Sequence, residues 1–214
     1  SDRLALTTAG IGAVLLRVRG RASHAGSAPE QGRNALYELA HQVLQMRDLT
    51  NANAGIKLNW TIASAGATRN VIPAVARATA DFRVLRVAAY DEVERLVRER
   101  IREQLIDGTT VDVSFERRRP PLEATDESRA LAAHAQSIYR ELDRRLTVSD
   151  QAAGGGTDAA FAALESDAPV IEGFGLIGFG AHSDARESVD LRSVVPRLYL
   201  LTRMVMDVGQ GLAP

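Results

Sequence analysis

The chain has 214 residues, 45% of them hydrophobic and 25% charged, which is enough apolar material for one large or two small cores. Its 26 basic and 27 acidic side chains leave a net charge of -1, so no global positive field points to a nucleic-acid partner. Cysteine is absent, excluding disulfides, thiolate metal sites and a cysteine nucleophile in these residues, and no apolar run approaches the ~18 residues of a membrane-spanning helix.

In chain order, Val14, Leu16 and Val18 alternate with Leu15, Arg17 and Arg19, which predicts a half-buried strand. The stretch "RASHAGSAPE" follows at once and reads as a polar turn carrying His24. Leu36, Leu39, Ala40, Val43 and Leu44 then fall on one helical stripe. Ile56, Leu58, Trp60 and Ile62 alternate with Lys57, Asn59, Thr61 and Ala63 in a second strand; Lys57 is the chain's single lysine. A long connection, "GATRNVIPAV", contains Asn70 and leads to a third strand in which Ala78, Ala80, Phe82 and Val84 alternate with polar residues. Long ordered connections are more often functional than short ones. Val93, Leu96, Val97, Ile101 and Leu105 make a second helical stripe, and Val111, Val113 and Phe115 a fourth strand.

Strand, helix, strand, strand, helix, strand is the split βαβ, ferredoxin-like order, an α+β domain whose antiparallel sheet carries both helices on one face. Pro120 and Pro121 in "RRRPPLE" cannot continue a strand ladder, so the expected division is 1–120 and 121–214. Beyond it, Leu131, Ala135, Ile138, Tyr139 and Leu142 share one helix face. "LTVSDQAAGGGTDAAFAAL" reads as strand, glycine turn and helix, "APVIEGFGLIG" as a further strand, and Val194, Leu198, Leu201 and Val205 as the stripe of a last helix. Two strands and three helices are too few to enclose a parallel sheet. This half is therefore expected to be part of a larger domain and to expose apolar surface.

Without cysteine, any metal must use histidine or carboxylate. Of the four histidines, His41 and His134 sit within helical patterns and read as ordinary helix residues. His182, in "GFGAHSDARESVDL", has no close ligand partner such as H-E-x-x-H, and on spacing alone is most simply an exposed loop residue. "GGGTD", Gly154 to Asp158, lacks the spacing and lysine of a phosphate-binding loop and reads as a tight turn with Thr157 or Asp158 capping the next helix. Asn70 is most simply a loop residue.

Taken together and in order, "GRASHAGSAPEQGRNAL", "NWTIASAGATRNVIPAVARATADFRV", "GGGTDAAFAAL" and "GFGAHSD" closely resemble the second half of the M20 zinc metallopeptidases of the glutamate carboxypeptidase type. The likeness covers essentially the whole chain. It implies a split βαβ lid and dimerisation domain followed by the C-terminal part of an α/β catalytic domain. It also implies a homodimer that releases C-terminal glutamate or a similar amino acid from a small acidic N-acyl conjugate. By the same resemblance His182 is a ligand to one of two zinc ions in the complete enzyme. His24, delivered from the neighbouring subunit, would stabilise the oxyanion with Asn70 nearby; Arg83 and Arg119 would bind a substrate carboxylate, and the Gly155 and Gly156 backbone would approach the substrate. In "ERRRP" three arginines compete for the role given to Arg119, and the register could be off by one.

The family's H-x-D pair, bridging aspartate and Glu-Glu pair have no counterpart here, so the chain alone is expected to be inactive and to bind zinc weakly. A non-catalytic dimerisation or small-molecule-binding module is the alternative. RNA binding by the sheet would ask for aromatic residues on the central strands, where Val14, Arg17, Thr79 and Asp81 stand instead.

Overall fold

The computed structural model describes residues 2–152 and 155–213, and the chain divides into two compact units. One is Ala9–Pro121; the other joins the chain's start, through Thr8, to the stretch from Leu122 onward. The first short strand, β1 (Arg3–Ala5), belongs to the latter.

The Ala9–Pro121 unit contains β2 (Gly10–Arg19), β3 (Ser23–His24), α1 (Ala35–Gln45), β4 (Ile56–Ala65), β5 (Val71–Ile72), β6 (Val75–Val84), α2 (Ala89–Arg100) and β7 (Thr110–Arg119). Its sheet runs in the order β4, β6, β2, β7, with every neighbouring pair antiparallel. Along β2 and β6 the period of two is kept: Val14, Leu16, Val18, Ala76, Ala78, Ala80, Phe82 and Val84 are buried with Leu39 of α1 and Val93 and Val97 of α2. The small alanine side chains on β6 leave room for α1 to lie over that strand.

In two places the local pattern misleads. β4 carries a bulge at Thr61, because Trp60 faces Ala80 while Ile62 faces Thr79. One extra residue turns the following side chains to the opposite face, so Ile62, expected inside, is 65% exposed. On α1 the expected stripe is half wrong: Leu36, Ala40 and Leu44 are exposed, whereas Glu38 and Gln42 are buried beside Ala35 and Leu39. Glu38 goes inside because its carboxylate is satisfied there. It accepts from the Leu105 and Ile106 amides at 2.8 and 2.7 Å and from the Gln42 amide at 2.7 Å. Gln42 in turn donates to the Glu103 carbonyl at 2.8 Å, which ties α1 to the segment after α2.

The other unit contains β1, α3 (Asp126–Arg140), β8 (Thr147–Ser149), α4 (Ala159–Glu165), β9 (Gly178–Phe179), β10 (Ser188–Val189) and α5 (Val194–Gly209). Residues 3–8, expected to lie with the first domain, group here because β1 pairs in parallel with β8 and Thr8 bridges Leu122. Thr125 and Ser128 form a capping box at the start of α3, worth about 1 kcal/mol. Leu131, Ala135, Ile138 and Tyr139 of α3 pack with Leu4, Leu200 and Met204. Arg197 is 3% exposed yet satisfied, donating to the Gly173 carbonyl at 2.6 Å and pairing with Asp2 at 3.3 Å. His134 pairs with Asp207 across α3 and α5 at 2.8 Å, a structural role in keeping with its helical setting.

Two further expectations fail here. "APVIEGFGLIG" does not form a regular strand: Glu172 makes one bridge to Ala5, and only the last residue, Gly178, belongs to a strand, β9. On α5 the buried residues are Pro196, Arg197, Leu200, Met204 and Asp207, while the expected core stripe faces outward, Leu198 and Val205 being 62% and 65% exposed. The helix is apolar on two faces, and its own unit uses the other one.

Candidate active site

The central strands of the sheet continue into a two-stranded arm. Past Arg19, Gly20 donates to the Ala74 carbonyl at 2.8 Å, and then β3 pairs with β5, placing Ser23 opposite Ile72 and His24 opposite Val71. Ala25 donates to the Asn70 carbonyl at 2.9 Å. The long connection between β4 and β6 is therefore the return strand of this arm, and it brings His24 and Asn70 to the same tip. His24 is exposed, and its Nδ1 accepts from the Gly26 and Ser27 amides, both at 3.1 Å. With Nδ1 an acceptor, the proton of the neutral ring sits on Nε2, which becomes a fixed donor aimed away from its own turn.

At the opposite end of the sheet two more of the expected residues converge. Ile11 of β2 faces Arg83 of β6 on one side and Arg119 of β7 on the other, so both arginines share one cross-strand row on the face without helices. This depends on a second bulge. Gly12 faces Arg117 while Ile11 faces Arg119, so Arg118 is the extra residue, and of the three arginines of "ERRRP" it is Arg119 that stands in the row with Arg83. Arg117 turns to the helix side, where it binds Asp91 and Glu94 of α2 at 2.5 and 2.8 Å and lies over the Tyr90 ring. The hydrogen bond it donates to Asp91, then that to Glu94, raises its pKa further above an already basic value. The Tyr90 hydroxyl hydrogen-bonds the Arg119 carbonyl and reaches the Ile11 carbonyl at 3.2 Å, clasping the bulge.

Arg83 is held by Asp81, whose two oxygens accept from Nε at 2.8 Å and Nη2 at 2.9 Å. The Arg83 side chain is therefore already oriented, with one face of its fork taken. Sequence reasoning missed Ile11, Tyr90 and Asp81. Ile11 and Asp81 could have been found by counting along the polar faces of the strands, but the bulge that aligns Arg119 leaves no local signal.

In the other unit, His182 lies in the connection of the β9–β10 hairpin, where Phe179 faces Ser188 and Gly178 faces Val189. His182 is exposed and has a φ of 65°. That left-handed conformation costs a non-glycine residue on the order of 1 kcal/mol and is a reason to look for a role. Gly180 before it also has a φ of 65°, and a Cβ there would lie 2.5 Å from the Arg186 carbonyl oxygen, so the turn requires glycine. Of the glycine turn, Gly154 lies outside the described residues; Gly155 is exposed with open space around its missing Cβ, and Gly156 is half-buried. Thr157 accepts from the Ala159 amide, the first of α4, at 3.1 Å, while the N-cap position itself, Asp158, makes no side-chain cap. Among the described residues no group of three or more His, Asp or Glu side chains could hold a metal ion.

Residues 6–109 match the peptidase dimerisation domain model of the M20 family. The chain is 41% identical over 210 residues to carboxypeptidase G2 of Pseudomonas sp. (strain RS-16), a match that covers 98% of this chain and 50% of that protein. The chain thus spans half the length of this curated relative. Among solved structures, aminopeptidase PepT of Bacillus cereus superposes with a TM-score of 0.82 at 19% identity over 97% of this chain and 54% of its own. The Bacillus subtilis YXEP protein, a dinuclear metal binding peptidase of the M20 family, gives 0.72 at 14% identity over 96% and 53%.

Proposed function

The chain belongs to the M20 peptidase family, and from that premise we propose that it forms the carboxylate-gripping part of a zinc-dependent carboxypeptidase that releases glutamate or a similar amino acid from an amide conjugate. The observation that carries this reading is the row in which Arg83 and Arg119 flank Ile11. Two guanidinium groups about two strand spacings apart, ~10 Å between backbones, can turn their long side chains onto one carboxylate above the isoleucine. This recognises a free C-terminal carboxylate, as a carboxypeptidase must.

The remaining roles follow from the same reading. His24 donates its Nε2 proton to the oxygen that becomes negative as the amide carbonyl is attacked, with Asn70 beside it, and does so for a neighbouring protomer. Gly155 and Gly156 let substrate pass close to the backbone. His182 is a single ligand to a zinc site whose other donors lie outside these 214 residues. When bound, such an ion polarises the carbonyl and activates water. The complete protein is a homodimer in this reading, supported by the match to a dimerisation domain and by exposed Leu36, Tyr37 and Leu44 along α1.

Carboxylate recognition is tested with the catalytically competent protein. Arg119→Met should raise KM for N-acyl amino acids about tenfold with kcat little changed, as expected when ground-state and transition-state binding are lost together. An unchanged KM would overturn the reading.

A further inference from the structure

The row that holds Arg83 and Arg119 contains a third cation. Lys57 of β4 faces Arg83 across the strands, so the sequence of side chains on this face is Lys57, Arg83, Ile11, Arg119. Lys57 is exposed, and among the described residues its ammonium has no hydrogen-bond or ion-pair partner. Like charges directly opposite one another on neighbouring strands are unfavourable by a few tenths of a kcal/mol or more. Asp81, in the neighbouring row, is bound to Arg83 and does not reach across to Lys57's strand as an ion-pair partner. The next acidic residue on this face, Glu116, sits opposite Ala13, one row away. The row therefore keeps an unmatched positive charge at the strand edge, on the far side of Arg83 from Arg119.

We propose that Lys57 reads a second carboxylate on the leaving amino acid, binding the side-chain carboxylate of an acidic residue while Arg83 and Arg119 hold its α-carboxylate. The inference rests on the carboxylate-gripping role given above to the two arginines. Strand spacing allows it: Lys57 stands two strand-to-strand steps, ~10 Å, from Ile11, above which the α-carboxylate is held, a span that the lysine's long stem and the extended side chain of a glutamate cover together. A flexible ammonium at an exposed edge suits a side chain whose torsions vary, whereas a planar fork suits the fixed α-carboxylate. Lys57 is thus a specificity residue that favours acidic over neutral amino acids. The other use of such a lysine, keeping a strand edge from pairing with other edges, would not distinguish between ligands.

The test is a titration of the full 214-residue chain with N-acetyl-L-glutamate and its neutral isostere N-acetyl-L-glutamine, followed by amide shifts in β2, β4, β6 and β7. At physiological salt the glutamate ligand should bind roughly fivefold more tightly, the ratio expected of one solvent-exposed ion pair. Lys57→Met should bring the two ligands to parity without changing glutamine binding, and Lys57→Arg should keep the preference. If both ligands shift the row equally, or the preference survives Lys57→Met, the role of Lys57 is overturned while the arginine pair stands. If neither ligand shifts the row, the arginine pair falls and Lys57 with it.

Discussion

Tyr90, on α2, hydrogen-bonds the backbone carbonyl of Arg119, on β7, and so holds the bulge that places Arg119 opposite Ile11. Its ring stays packed edge-on against Phe82 at 5.7 Å, so the hydroxyl can be removed without opening a cavity. Tyr90→Phe should cost about 1 kcal/mol of stability and loosen Arg119, raising KM more than it lowers kcat. Burial raises the Tyr90 phenol above its ordinary pKa of 10.0 despite the opposing Ile11 hydrogen bond and nearby arginines. A folded value above the unfolded one means full stability below about pH 10, lost as pH rises through the raised value. Alkaline denaturation curves of the Phe variant should be flatter above pH 10; identical slopes would show that Tyr90 does not ionise on unfolding.

Glu38 is fully buried and serves three donors, the Leu105 and Ile106 amides and the Gln42 side chain. Glu38→Leu fits the helix but strands all of them, and a loss of about 3 kcal/mol is expected. Urea titration should show the midpoint fall. A variant as stable as the parent would mean that water satisfies these groups.

The exposed apolar residues of α1 bear on the proposed dimer. Leu36→Asp with Leu44→Asp removes apolar surface without touching the core, since both are exposed, at 44% and 60%. Light scattering should move from dimer toward monomer, with the far-UV spectrum unchanged. A persistent dimer would place the interface elsewhere.

His24 and His182 should fail differently. In the competent protein His24→Ala should lose roughly 10²- to 10³-fold in turnover with metal content intact, the cost of one oxyanion donor. His182→Ala should lose metal by elemental analysis. Mixing the two inactive variants should restore activity if His24 serves a neighbouring protomer. Verified exchange of protomers without recovery would assign His24 to its own chain or to no catalytic role.

The outward stripe of α5, with Val195, Leu198 and Val205 at 75%, 62% and 65% exposure, should make this chain bind hydrophobic dyes or associate. Leu198→Lys with Val205→Lys should suppress both. If dye fluorescence is unaffected, the binding surface lies off this helix.

The strands of the Ala9–Pro121 unit were legible from the amino-acid order because each has one buried and one open face, and alternation is a local property. β2 and β6 follow it residue by residue. The four ordered motifs likewise pointed to the family. What the order of residues left open was which face of an element finds a partner. α1 and α5 each offer apolar residues on more than one side, and a periodicity says nothing of what lies opposite. Glu38 could go inside only because the amides of Leu105 and Ile106, distant in the chain, were there to receive it. The bulges at Thr61 and Arg118 were equally silent, being mismatches in length between paired strands rather than features of either strand alone. The candidate site depends on such non-local pairings: His24 meets Asn70 through β3 and β5, and Lys57, Arg83 and Arg119 form a row only once four strands are in register.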